Sequence, residues 1–141
     1  MPAAYVIDRT RGLVLSRAWG ILTDQDLLGH ARALARDPAF KPEMRQLFDF
    51  RDVVDQDLGG ATLLELANLS PFGAGARRAT IVRGAAGYGV ARLFQLLRFH
   101  VKEEVRAFRE VEPALAWLDL TADAAAVLAE LAAVGTRPGG S

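Results

Sequence analysis

Short β-prone runs and amphipathic helical runs alternate along almost the whole chain, and this alternation constrains the fold more than any other feature. Tyr5-Val6-Ile7, the polar turn Asp8 to Gly12 and the apolar run Leu13 to Ile21 read as an antiparallel hairpin. Thr23 then opens a helix. Its hydroxyl can accept from the backbone N–H near Asp26, and Asp24 and Asp26 suit the positive helix start. Leu27, Leu28, Ala31, Leu34 and Ala35 recur at helical spacing, and Asp37-Pro38 ends the run. Gln46 to Phe50 is the next strand, followed by an aspartate-rich loop. Gly59-Gly60 leads into a helix carrying Leu63, Leu64, Leu66, Ala67 and Leu69, which Ser70-Pro71 stops.

A strand is expected at Ala79 to Val82. The small-residue run Gly84 to Gly89 reads as the loop before a third helix, whose apolar face is Val90, Leu93, Phe94, Leu97 and Val101. Val105 to Phe108 alternates as a strand, and Pro113 suits the first turn of a fourth helix with Ala114, Leu115, Trp117 and Leu118. The order is ββαβαβαβα. Parallel strands need crossovers, which helices supply. The expected architecture is an α/β domain with a mixed sheet of about five strands, parallel after the N-terminal hairpin and covered by about four helices. Residues 1–120 would form that domain. In 121–141 an alanine-rich helix with Val127, Leu128, Leu131 and Val134 in one stripe would pack on the domain or on another copy. Gly135 to Ser141 reads as disordered.

The 141 residues suit one domain, and 51% of them are hydrophobic, enough for a core without metal or disulfide. The chain has no cysteine, which excludes thiolate metal sites and a cysteine nucleophile. Seventeen basic residues balance seventeen acidic ones, so no general attraction to nucleic acid is expected. Heavy use of alanine and arginine fits a GC-rich genome. The N-terminus lacks the pattern of a signal peptide, and no apolar run reaches the ~18 residues of a membrane span. The expected location is cytoplasmic.

The element order also carries a resemblance. Tyr5-Val6-Ile7-Asp8 followed by Gly12-Leu13-Val14, Ala18-Trp19-Gly20 before Leu22-Thr23, Asp37-Pro38-Ala39-Phe40, Phe48-Asp49-Phe50-Arg51-Asp52-Val53, Ser70-Pro71-Phe72, Arg77-Arg78-Ala79 and Phe108-Arg109 ahead of Ala114-Leu115-Ala116-Trp117-Leu118 occur in order over Tyr5 to Leu120. Together they resemble the SpoIIAA-like family of bacterial-type domains, relatives of the STAS domain and of lipid-binding CRAL-TRIO folds. The resemblance implies a non-enzymatic regulatory or interaction module that binds a protein partner or itself. Anti-sigma-antagonist domains of the STAS type carry a phosphorylated serine at the start of the second helix, after an aspartate. Asp57 matches that aspartate and Gly60 the family's glycine, but Leu58 stands at the acceptor position and has no hydroxyl. Thr62 is out of register.

Each candidate site has a functional and a structural reading. Asp49, Asp52, Asp55 and Asp57 could hold a cation or polar ligand at a strand's carboxyl end, or be solvated loop residues with Asp57 capping the next helix. A calcium loop started at Asp55 would need its closing carboxylate at Leu66, so calcium is excluded. The run Gly84 to Gly89 could hold an anion on backbone N–H groups assisted by Arg83 or Arg92, or permit tight helix packing. Its order is G-x-x-G-x-G, not the dinucleotide fingerprint. His30 and His100 are isolated, and no G-x-S-x-G elbow is present, so no catalytic triad is indicated. Tyr88, Leu96 and Phe99, with Trp19 and Phe72, could form an apolar pocket or partner patch, or the rim of the core. The residues expected at a ligand or partner site are Asp57, Gly59, Gly60, Arg83, Gly84, Gly87, Tyr88, Gly89 and Arg92. No metal or cofactor is expected. A carrier or sensor of a small apolar or anionic ligand is the alternative, and an enzyme would need Asp49, Asp57 and an arginine to converge.

Overall fold

A computed structural model describes residues 2–135. Its elements are β1 (Ala3–Asp8), β2 (Leu13–Thr23), α1 (Asp24–Arg36), β3 (Arg45–Asp57), α2 (Ala61–Leu69), β4 (Arg77–Ile81), α3 (Gly84–Leu97), β5 (Glu104–Phe108), α4 (Val111–Trp117), a 3-10 turn at Thr121–Asp123, and α5 (Ala124–Ala133). The strands lie side by side in chain order, β1-β2-β3-β4-β5. β1 and β2 are antiparallel and all later pairs are parallel, as the alternation required.

A sheet wound steadily in one direction by crossovers of one hand puts the crossover helices on one face. Leu27 and Leu28 of α1, Leu66 of α2 and Val90, Phe94 and Leu97 of α3 accordingly bury against Ala18, Phe48, Phe50 and Val105. The opposite face of the sheet, with Leu13, Leu15, Leu47, Ala79 and Ile81, is covered by Ala114 and Leu115 of α4 and by Val127 and Leu131 of α5. The result is three layers, with helices on both faces of the sheet. The C-terminal helix packs on its own domain. Arg11 anchors it through Glu130 at 2.9 Å, and Arg17 donates to the Val134 carbonyl at 2.7 Å. Of the stretch Gly135 to Ser141, only Gly135 is described; it has φ +76 and abuts Trp19. The disorder expected for 136–141 lies outside the described residues.

Thr23 and Asp26 form the reciprocal cap that opens α1: the Asp26 N–H donates to the Thr23 hydroxyl, and the Thr23 N–H to the Asp26 carboxylate at 2.9 Å. Several boundaries differ from the sequence expectation. β3 runs on to Asp57, because β2 continues to pair with it through Thr23↔Asp57 past two bulges. Asp52, Asp55 and Asp57 therefore sit on a two-stranded extension of β2 and β3 and not in a loop, while Asp49 lies within the sheet opposite Ile81. β4 begins at Arg77, two residues early. α3 begins at Gly84, so the glycine run forms its first turns, while His100 and Val101 fall beyond its end. No helix among the described residues is long and apolar enough to cross a membrane.

Candidate functional site

β4 is followed by α3 on one face of the sheet, and β5 by α4 on the other. The chain therefore changes faces between two neighbouring parallel strands. Connections that part to opposite sides leave a crevice at the carboxyl ends of the strands, where open α/β sheets bind ligands. At this point lies an open groove of about 730 Å³, lined by residues that include Arg51, Arg83, Gly84, Tyr88, Arg92, Arg109, Glu110 and Glu112. Its volume falls in the range of small-molecule sites.

Arg51, Arg83 and Arg109 each closely follow the apolar run of a neighbouring strand, and the register Asp49↔Ile81↔Phe108 brings those strand ends level. Arg92 joins them two turns along α3, one turn beyond Tyr88, as helical spacing demands. Arg51 grips the buried Asp49 with two bonds, 2.9 and 3.0 Å, which raises its pKa further and neutralises the pair. Arg83 donates to the Arg51 carbonyl at 3.4 Å. Among the described residues, Arg83, Arg92 and Arg109 form no ion pair with a carboxylate. Three unpaired guanidinium groups thus face two carboxylates, Glu110 and Glu112. The first turn of α3 carries no acidic residue and its start has no side-chain cap, so its N–H groups add to the positive end of the groove.

Of the expected site residues, Arg83, Gly84, Tyr88 and Arg92 come together here. Gly84 has φ +72, a left-handed conformation that turns the chain from β4 into α3. Gly87 and Gly89 lie on the inner side of the helix. A Cβ at Gly87 would meet Val82 at 3.2 Å, and one at Gly89 would meet the Gln56 side chain at 2.5 Å. They let α3 approach β3 and β4 closely, which is the packing reading of the run. Asp57, Gly59 and Gly60 are held apart, at the end of the β2–β3 extension. Asp57 is exposed and does not cap α2. α2 starts without a side-chain cap; Asp24 instead ties the turn before it to its first turn, accepting from the Gly59 N–H at 2.9 Å and from the buried Thr62 hydroxyl. Leu58 is half-buried against the first core layer. Asp49 and Asp52 are held by Arg51 and Arg17 respectively.

A second polar assembly, invisible to the sequence reading, lies under α1 and α2. Arginine can only donate, and this sets the direction of its bonds. Arg78 donates to Glu103 at 2.9 Å and to the Gln46 carbonyl oxygen at 2.9 Å. The Gln46 amide then donates to the Ser16 hydroxyl at 3.1 Å, and the Ser16 hydroxyl and His30 Nε2 share a hydrogen bond of 2.9 Å. Burial first, and the Arg78 charge second, push the His30 pKa down to about 3, so the ring is neutral near pH 7. Ser70 also donates to Glu103. The adjoining void measures only about 20 Å³, room for one water. That void is too small for an apolar ligand. Only alternation along β4 hints at it: Arg78 and Thr80 share one face of the strand, opposite to Ala79 and Ile81, which bury under α4 and α5.

A crystal structure of an uncharacterised protein from Shewanella loihica PV-4, of the DUF3478 family and with a SpoIIAA-like fold, is similar to this chain. The two are 22% identical, the match covers 82% of this chain and 93% of that one, and the TM-score is 0.55. This chain therefore has a SpoIIAA-like fold, in agreement with the resemblance read from its sequence. No protein-family model matches the sequence, and no curated protein does.

Proposed function

We propose that this protein is a non-catalytic regulatory module of STAS-like type that works by binding an anionic ligand in the groove where β4 and β5 end. The observation that carries the proposal is the convergence of Arg83, Arg92 and Arg109 with the exposed Tyr88 at the point where the chain changes faces. Guanidinium groups match carboxylate and phosphate geometry, and the aromatic ring offers an apolar wall. The non-catalytic reading is supported by where the titratable groups with clearly displaced pKa lie. Tyr5 and His30 are remote from the groove, and Arg51 within it is simply a more firmly charged cation. Leu58 offers no hydroxyl, so switching would follow ligand occupancy and not phosphorylation at that position.

The test is a thermal-shift series with inorganic phosphate, pyrophosphate and citrate on the wild-type protein and on Arg83→Ala/Arg92→Ala. A ligand at a hundred times its Kd adds about 2.7 kcal/mol, on the order of 10 °C for a chain of this size. The expected result is a rise in Tm with at least one anion that the double variant loses. No rise with any of the three, or an equal rise in the variant, would refute the groove as an anion site.

A second reading, docking of a protein partner, is favoured by one observation. Tyr88, Leu96 and Phe99 form an exposed apolar stripe along and just beyond the outer side of α3, at 65, 47 and 71% exposure. Partner association that survives Tyr88→Ser and Phe99→Ser would remove that reading.

A further inference from the structure

β5 is an edge strand: it pairs with β4 and no other described strand lies beyond it. In a parallel ladder, alternate residues direct both N–H and C=O at the same neighbour. The Glu104 N–H donates to Ala76 at 2.8 Å, and the Phe108 carbonyl accepts from Val82 at 2.9 Å. Glu104, Arg106 and Phe108 therefore serve β4, while the N–H and C=O groups of Val105 and Ala107 turn outward. A slot of about 540 Å³ runs beside this free edge, walled by Phe99 on one side and Trp117 on the other. It has the form of a place for one more strand.

We infer that the occupant is β5 of a second copy of this chain, added antiparallel about a two-fold axis through Val105. A two-fold axis through any residue of the strand keeps outward residues facing outward residues; centred on Glu104, that glutamate faces its own counterpart, and centred on Phe108, Glu104 faces Glu112. Centred on Arg106, that arginine faces its own counterpart. Centred on Ala107, Glu104 faces Glu110. Centred on Val105, Glu104 faces Arg106 of the other copy and Arg106 faces Glu104, so both flanking pairs are of opposite charge. Directly opposed unlike charges favour pairing and like charges oppose it. In that register the two Val105 residues exchange both of their free backbone bonds, and the two five-stranded sheets become one continuous sheet. A closed two-fold contact of this kind leaves neither copy's β5 edge open to further chains. Glu104 and Arg106 form no ion pair among the described residues within their own chain; the Arg106 guanidinium lies over the Phe108 and Trp117 rings at 5.4 and 5.9 Å, contacts that leave its N–H donors without a carboxylate partner.

Sedimentation equilibrium from micromolar to hundreds of micromolar protein tests the register. The wild-type protein is expected to reach twice the 15.2 kDa chain mass. Glu104→Arg and Arg106→Glu, made singly, place like charges opposite each other twice and should each weaken the dimer about ten-fold or more. The double exchange restores both pairs and should recover wild-type affinity. Circular dichroism melting of each variant establishes that it is folded. A wild-type protein that stays monomeric, a dimer indifferent to both single reversals, or folded variants whose double exchange fails to recover association would each overturn the inference.

Discussion

Acidification below pH 6.5 should expose the burial of His30. In the unfolded chain a histidine protonates near pH 6.5, whereas His30 in the folded protein resists protonation down to about pH 3. A pKa lowered by folding means that the unfolded state takes up the proton first. The contribution to stability is complete above pH 6.5 and is lost as the pH falls from there toward 3. Between pH 7 and pH 5 the loss amounts to about 2 kcal/mol, since each unit below 6.5 removes about 1.4 kcal/mol. The structural cause is specific: the ring is buried away from water, and Arg78 lies close enough to oppose a positive charge on it. Urea unfolding at pH 7, 6 and 5, followed by fluorescence of Trp19 and Trp117, measures the slope. His30→Gln keeps a hydrogen-bond partner for Ser16 but cannot titrate, so carboxylate contributions common to both proteins cancel in the comparison. The variant should be less stable at pH 7 and show a flatter pH dependence. A wild-type stability that changes by less than about 0.5 kcal/mol over this range, or an equal slope in the variant, would refute the reasoning.

Two further outcomes follow from the same packing. Arg78→Met strands the buried Glu103 carboxylate and should cost about 3–5 kcal/mol in urea unfolding, while Arg78→Met/Glu103→Met, which removes both charges, should recover most of that loss. Gly87→Leu drives a side chain into Val82 and should cost about 1–3 kcal/mol, whereas Gly60→Ala, whose Cβ meets nothing within 4 Å, should change stability by less than about 0.5 kcal/mol.

What the sequence revealed and what it concealed divide along a physical line. Thr23 and Asp26 announced α1 because a capping box depends on residues three apart and nothing else. The order of elements was legible for the same reason, since periodicity is local. The end of β3 was not. Arg51 to Asp57 reads as a loop on composition, and the strand exists there because β2 pairs with it from far along the chain. The start of α3 was misplaced by the low helix propensity of glycine, which is outweighed by the close approach to Val82 and Gln56 that glycine permits. Arg78 was overlooked because a charged residue is expected at the surface, and only its partners Glu103 and Gln46 make it tolerable inside. Half of the groove was visible as Arg83, Gly84, Tyr88 and Arg92. Arg51 and Arg109 carried a readable signal, a basic residue close after each strand's apolar run. Their meeting depended on which face α4 chose, and that is a property of the whole sheet.

The placement of α5 bears on how the protein is made. Each strand pairs with the one before it, so the sheet and its first helical layer can assemble progressively as the chain leaves the ribosome, N-terminal elements first. The second layer follows a different timetable. Leu13 and Leu15 are among the earliest core residues to emerge, yet α5, which helps to bury them, emerges after all five strands. Until α4 and then α5 emerge, the nascent domain carries a leucine-rich sheet face that is uncovered or only partly covered, the kind of surface that recruits chaperones or seeds aggregation. Arg11 and Arg17, waiting on the β1–β2 hairpin for Glu130 and the Val134 carbonyl, are the fasteners that close it once synthesis reaches them.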